Sequence, residues 1–294
     1  MITGLFENFV SRRIRTSGAE INLVTAGSGP PLLMLHGYPQ THAMWHKIAP
    51  RLAQRFTVVC PDLRGYGDSE KPEGGASHVN YSKRAMAQDQ VEVMRALGFP
   101  QFSVVGHDRG GRVAHRMALD HPERVQRLVV LDISPTRLMF ARTDQAFATA
   151  YYHWFFLIQP FDLPERLIGA DTSYYLRRKL GGWSSGLQHF DTRALAEYER
   201  CFADPATVHA SCEDYRAAAT IDLEHDGADG DARIRCRMLV LWGEKGVVNR
   251  LFHPVEDWEQ AANDVTGRAL PCGHFLAEEA PDATLAEILA FLDA

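Results

Sequence analysis

Apolar residues along this chain gather into short unbroken runs rather than alternating with polar ones. The runs at 31–35, 56–60, 102–105 and 128–131 predict strands buried on both faces, as in a parallel sheet. Residues 238–242 predict a fifth strand and 268–270 a shorter last one. Helical periodicity fills most gaps between them, at 84–97 and 112–119 for example. Strand and helix in alternation predict an α/β class protein with a doubly wound, mostly parallel sheet. One long gap breaks the rhythm. From about Pro135 to Arg216 there is no strand signal, and the sequence turns aromatic and helical, as in Tyr151-Tyr152-His153-Trp154-Phe155-Phe156 and again at 195–202. Pro160, Pro164, Pro205 and the pair Gly181-Gly182 cut this stretch into short helices. Because sheet signals resume afterwards, the reading is a helical cap, residues 136–216, inserted into a core formed by 1–135 and 217–294. Two independent domains would split the sheet between them.

Composition narrows the function classes. The chain has 294 residues, 46% hydrophobic and 23% charged, an ordinary globular balance with ample sequence for a large core. A net charge of -6, spread along the chain, argues against nucleic acid or an anionic membrane as a partner. No apolar run is long enough to span a bilayer, and residues 1–16 lack a basic-then-apolar leader pattern. The five cysteines, Cys60, Cys201, Cys212, Cys236 and Cys272, show no paired spacing. They read as reduced thiols in a cytoplasmic protein, not as metal ligands. No metal or other cofactor is expected. Asp222-Leu223-Glu224-His225-Asp226 matches no metal motif and reads as a solvated turn. Gly65-Tyr66-Gly67 lacks the Lys-Ser/Thr of a phosphate loop. Lys83 and Arg84 open a helix and need no special role.

The sharpest local signal is Gly106-His107-Asp108-Arg109-Gly110-Gly111, which lies between an apolar run and a helical one. Strand, Gly-x-nucleophile-x-Gly, helix is the nucleophile elbow of α/β-hydrolases. In esterases the central residue is Ser. An Asp there can attack carbon directly and form an ester that water must then cleave. The second step needs a base, and His274, in Gly273-His274-Phe275 after the last strand signal, is the candidate. An acid must orient that histidine. Asp132, ending the 128–131 run, is preferred. Glu244, in Gly243-Glu244-Lys245-Gly246, is the runner-up and reads as a solvated loop charge. Attack on the ester builds an oxyanion, for which the backbone N–H groups of Tyr38 and Arg109 are the expected donors.

These motifs, together with His36-Gly37-Tyr38-Pro39-Gln40, 62–69 (Asp-Leu-Arg-Gly-Tyr-Gly-Asp-Ser), Tyr152-His153-Trp154 and Asp214-Tyr215-Arg216-Ala217-Ala218, resemble the fluoroacetate (haloacetate) dehalogenases of the α/β-hydrolase superfamily. The resemblance runs nearly the whole length, cap included. It implies an α/β-hydrolase fold, a short haloacid substrate, no cofactor and a homodimer. Epoxide hydrolases and haloalkane dehalogenases share the hydrolase motifs but usually carry Trp directly after the nucleophile, where this chain has Arg109. Arg109 and Arg112, three residues apart at a helix start, make a carboxylate receptor. A neutral epoxide would leave both charges unpaired. His153, Trp154 and Tyr215 can offer N–H, N–H and O–H to a departing fluoride, and the resemblance carries each over as a halide-site residue. Trp183 is a further candidate for the pocket. Tyr38 stands where many members have Phe, a change in the pocket wall that keeps the backbone donor. Two other readings stand beside the dehalogenase. An epoxide hydrolase would need a second ring-opening tyrosine besides Tyr215, which the sequence does not place. A non-catalytic carboxylate binder would tolerate loss of the nucleophile or base, and neither is lost.

Overall fold

Continuous apolar runs become the central strands of one eight-stranded sheet in the computed structural model, which describes residues 4–294. The strands are β1 (Val10–Arg15), β2 (Glu20–Ala26), β3 (Pro31–Leu35), β4 (Thr57–Pro61), β5 (Phe102–His107), β6 (Val125–Leu131), β7 (Arg237–Gly243) and β8 (Val265–Leu270). Their order is β1-β2-β4-β3-β5-β6-β7-β8. The pairs from β4 through β8 are parallel, while β1–β2 and β2–β4 are antiparallel. Leu32–Leu35, Val58–Val59, Val104–Val105 and Leu128–Leu131 are all buried, as double-sided coverage requires.

The first two strands carry no continuous apolar run and are absent from the sequence reading. β1 is an edge strand, exposed along nearly its whole length, and holds Arg12, Arg13 and Arg15. Charge on an edge blocks pairing with another chain and also erases the hydrophobic signal. β5 to β8 are each longer than their apolar cores. Between β6 and β7 the chain is helical from Thr136 to Ala228, and residue 216 falls inside the helix Pro205–Ala219. The segment 222–226, read as a turn, lies in the helix Ile221–Ala228. Asp222 there is buried and accepts the Lys83 N–H at 2.8 Å, so the solvated-turn reading does not hold.

The sheet positions the chemistry through its strand ends. Tyr38 follows β3, Asp108 follows β5, Asp132 follows β6 and His274 follows β8, all at C-terminal ends of parallel strands, where open α/β sheets hold their ligands. No helix among the described residues is long and apolar enough to cross a membrane. The five cysteines are free thiols.

Candidate active site

Asp108 sits between β5 and the helix Arg109–Asp120 at φ 46°, ψ -115°. A non-glycine residue there is strained and persists only where its surroundings hold it. The flanking glycines explain how. A Cβ on Gly106 would lie 2.6 Å from the Gly110 carbonyl oxygen, and one on Gly110 would lie 2.4 Å from the His36 carbonyl oxygen. They are required for close backbone approach, while the positive φ falls on Asp108 itself. The Asp108 side chain caps no backbone N–H of its helix and instead reaches across the strand ends. Its Oδ1 accepts the Tyr38 N–H at 3.0 Å. Burial would raise its pKa, but the surrounding His274, His107, Arg112 and Arg109 outweigh that and hold it below the usual carboxylate value.

Asp132 also has positive φ, 54°. Its Oδ1 accepts the Gly243 N–H at 2.9 Å, and its Oδ2 lies 2.6 Å from His274 Nδ1. The carboxylate fixes the tautomer, placing the proton on Nδ1 and leaving Nε2 free. Burial pulls the His274 pKa down, but the hydrogen bond and charge of Asp132, with Asp108 behind them, lift it above the ordinary value. The His274 carbonyl accepts from His107 Nε2 at 2.9 Å. His107, the elbow residue before Asp108, is buried, and burial and the nearby His274 push its pKa down to about 3. It is therefore a neutral strut. Glu244 is exposed on its loop, its backbone N–H bonded to Leu270 at 2.9 Å, so it does not approach His274.

The two arginines differ in a way the sequence does not reveal. Arg109 is fully buried and clamped on Asp214: Nε donates to Oδ2 at 2.9 Å, and Nη2 donates to Oδ1 at 2.7 Å and to the carbonyl at 2.8 Å. It is not the free cation that its place beside Asp108 suggested. Arg112 has no carboxylate partner. Its Nη1 donates to the Ser134 carbonyl at 3.1 Å and Thr136 Oγ1 at 2.7 Å, and its guanidinium stacks 4.7 Å from the Trp154 ring. Burial, then repulsion from Arg109, lowers its pKa to about 10. Arg112 is the guanidinium of the site without a salt bridge among the described residues, and the nearby Asp108 charge only partly offsets burial and Arg109.

Side chains from the helical segment between β6 and β7 pack around Tyr38 beside Asp108. His153 lies 4.4 Å from Trp183, 5.6 Å from Tyr215 and parallel to Tyr38 at 6.4 Å between ring centres. Burial and the nearby Lys179 keep its pKa far below the ordinary value, so its ring is neutral. Trp183 is half-buried and, with Tyr151, Gly273 and His274, lines a cleft of about 80 Å³. A larger hollow of about 390 Å³ beside His115 and Asp257 contains none of these residues. Arg109 Nη1, Arg112 Nε, His153 Nδ1, Trp154 Nε1, Tyr215 OH and His274 Nε2 are all buried without a hydrogen-bond partner among the described residues. Such atoms call for an explanation, and these six sit on residues that adjoin Asp108 (Arg109, Arg112, Tyr215, His274) or pack on those that do (His153 on Tyr215, Trp154 on Arg112), which makes the space a candidate ligand site. Among the described residues, no three His, Cys, Asp or Glu side chains are grouped to hold a metal.

Sequence reasoning missed the residues behind this wall. Lys83 is buried with its ammonium on Asp214 and 3.5 Å from Asp222, and the Tyr66 hydroxyl donates to Asp214 at 2.6 Å. The only sequence signal was the acid directly before Tyr215.

A sequence profile of the alpha/beta hydrolase fold matches residues 30–281, and the strand order and elbow geometry agree with it. The chain belongs to the alpha/beta hydrolase family. Within that family it is 48% identical over 98% of its length to a fluoroacetate dehalogenase from a Burkholderia species, covering 95% of that protein. It is 35% identical over 94% of its length to a soluble epoxide hydrolase from Corynebacterium sp. (strain C12), covering 94% of that protein. A crystal structure of an alpha/beta hydrolase from Nostoc sp PCC 7120 superposes with TM-score 0.97 at 62% identity, covering 99% of each chain.

Proposed function

We propose that the protein is a hydrolytic dehalogenase that converts short 2-haloacids, fluoroacetate among them, to the 2-hydroxyacid and halide. The observation that carries this reading is Arg112, a buried guanidinium that forms no salt bridge among the described residues and points its unpartnered Nε toward the surroundings of the buried Asp108 carboxylate. A substrate carboxylate accepts from the free guanidinium donors of Arg109 and Arg112 with charge assistance, which a neutral epoxide cannot match. The 48% identical fluoroacetate dehalogenase supports the same reading.

Tyr38 N–H holds Oδ1 of Asp108, which leaves Oδ2 to attack the halogen-bearing carbon from behind. The C–O bond forms as the carbon–halogen bond breaks. The halide departs with the bonding pair toward the unpartnered donors of His153, Trp154 and Tyr215. Arg109 Nη1 and Arg112 Nε hold the substrate carboxylate. His274 Nε2 then takes a proton from water, whose oxygen attacks Asp108 Cγ, while Asp132 stabilises the imidazolium. Negative charge develops on Oδ1, already under the Tyr38 N–H, with the Arg109 N–H as the second proposed donor. Collapse releases the hydroxyacid and returns the proton. Trp183 serves as part of the pocket wall. The working unit is proposed to be a cytoplasmic homodimer with no cofactor, and neither nucleic acid nor membrane is a partner. The cap is proposed to span 136–216.

The epoxide-hydrolase relative keeps one rival reading in view. Ring opening would use the free Tyr215 hydroxyl, but Tyr38 and Tyr175 bond to each other at 3.2 Å. The deciding experiment offers purified protein fluoroacetate, chloroacetate and a small epoxide, and measures halide and diol. Halide release is the expected outcome. Diol formation without halide release would overturn the proposal.

A further inference from the structure

Asp214, which takes no part in the reaction above, stands at the centre of a buried polar cluster. It is fully buried on the helix Pro205–Ala219, and each carboxylate oxygen receives two donors. Oδ2 accepts Arg109 Nε at 2.9 Å and the Tyr66 hydroxyl at 2.6 Å. Oδ1 accepts Arg109 Nη2 at 2.7 Å and the Lys83 ammonium. Asp222 completes the group, 3.5 Å from Lys83 Nζ and accepting the Lys83 backbone N–H at 2.8 Å.

Two consequences follow from counting. A guanidinium has five N–H donors in a fixed plane. Asp214 takes three of them, one from Nε and two from Nη2. The Nη1 donors have no partner among the described residues. Because the plane is rigid, fixing one edge fixes the direction of the other, and the Tyr215 ring 4.2 Å away supports its face. The second count is of charge. Arg109 and Lys83 are cations, Asp214 and Asp222 are anions, and the cluster sums to zero. Arg109 and Lys83, close by, keep Asp214 ionised against the pull of burial, well below the usual carboxylate range.

The geometry points to Asp214 as a positioning residue that aims Arg109 Nη1 at the substrate as a directed, charge-cancelled donor, leaving Arg112, which has no carboxylate clamped on it, as the cation that favours an anion. This inference rests on the proposed function only in taking the ligand to be a short carboxylate. Lys83, Tyr66 and Asp222 enter as supports of Asp214, contributed by the helix Lys83–Ala96, the loop after β4 and the helix Ile221–Ala228.

Acetate and acetamide serve as probes, with binding measured by calorimetry so that no turnover is needed. Asp214→Asn alone strands Lys83, so the pair Lys83→Met/Asp214→Asn, which removes one charge of each sign, is measured beside it. Thermal melting checks that each variant is folded. The expected result is acetate binding weakened about tenfold or more, with acetamide weakened by a similar factor, because a directed donor serves either carbonyl. Arg112→Met should weaken acetate far more than acetamide. In an Arg109→Met background, removing Lys83 and Asp214 should cost at most about threefold more, since the cluster acts through Arg109. Losses that simply multiply would overturn the inference. So would an Asp214 effect confined to acetate, or a wild-type protein that does not bind acetate. Wild type that binds acetate but releases no halide from haloacetates would sink the reaction assignment alone.

Discussion

The floor and the roof of the site are built on different principles. On the floor, Asp108, Asp132 and His274 follow the C-terminal ends of β5, β6 and β8 and are locked by hydrogen bonds: Tyr38 N–H to Asp108, Gly243 N–H to Asp132, Asp132 to His274. In the roof, His153, Trp154 and Tyr215 are held by aromatic packing, and their polar atoms are left free. A floor so constrained fits a reaction shared across a family, whereas in the proposed function the free donors of the packed roof are what would set the substrate. Changes to the floor should therefore remove activity outright, and changes to the roof should redistribute it among substrates.

The floor gives the largest expected effects. Asp108→Asn should abolish halide release. His274→Asn should permit one turnover and then trap the Asp108 ester, with later turnover reduced by about 10³-fold or more. Intact-protein mass and a halide burst equal to enzyme concentration check this. Steady halide release without a trapped ester would place the base elsewhere. Between floor and roof stands Arg112. Truncation to Met should cost about 2–5 kcal/mol in transition-state stabilisation on haloacetate, since it removes one side of a buried charge pair. Near-normal kcat/KM on chloroacetate would return Arg112 to a structural role.

The two parts also differ in how far the sequence discloses them. The elbow and the acid after the 128–131 run are legible because each follows a continuous apolar strand, while the late histidine, after the weakly apolar β8, is legible from chain order on a parallel sheet. β1 is illegible because an exposed edge strand with Arg12, Arg13 and Arg15 carries no hydrophobic pattern. The clamp on Arg109 is illegible for another reason: Asp214 lies 105 residues away in sequence from Arg109 and 131 from Lys83. Nothing local distinguishes a surface lysine from one buried on a distant carboxylate. In the roof, donor chemistry could be read from His153, Trp154 and Tyr215, but their shared lack of partners emerges only once the helices pack.

A sharper test of the roof comes from the leaving group. Fluoride develops a concentrated negative charge and depends on directed donors, while chloride leaves more readily. Tyr215→Phe keeps the ring and deletes only the hydroxyl, while Trp154→Phe deletes the N–H and shrinks the buried indole to a phenyl. Each should lower kcat/KM on fluoroacetate by about tenfold or more beyond its effect on chloroacetate, a part of the roughly 10²–10³-fold that removal of one oxyanion-type donor costs. Equal losses on both would reduce these residues to pocket shape.

The floor can also be titrated. His274 must be neutral to accept a proton, so ester decay should slow as pH falls through its pKa. In the resting enzyme both Asp132 and Asp108 raise that pKa. Once Asp108 is esterified its charge is gone, and only the Asp132 contribution persists. The acid limb of ester decay should therefore lie below the pKa of His274 measured by NMR in the resting protein. Coincident values would mean that Asp108 does not act on His274 through space.

The smallest expected effect falls just outside the floor, where sequence left two acids in competition. Asp132 is buried and 2.6 Å from His274 Nδ1, whereas Glu244 is exposed and makes no contact with it. A charge in water is screened, and an exposed carboxylate contributes about 1 kcal/mol at most. Asp132→Asn should lower turnover by about 10³–10⁴-fold, because an amide holds the imidazole in the wrong tautomer and cannot offset its charge. Glu244→Gln should change kcat and KM by no more than about twofold. Comparable losses in the two variants would mean that the loop after β7 closes on His274 during turnover and that the acid is shared.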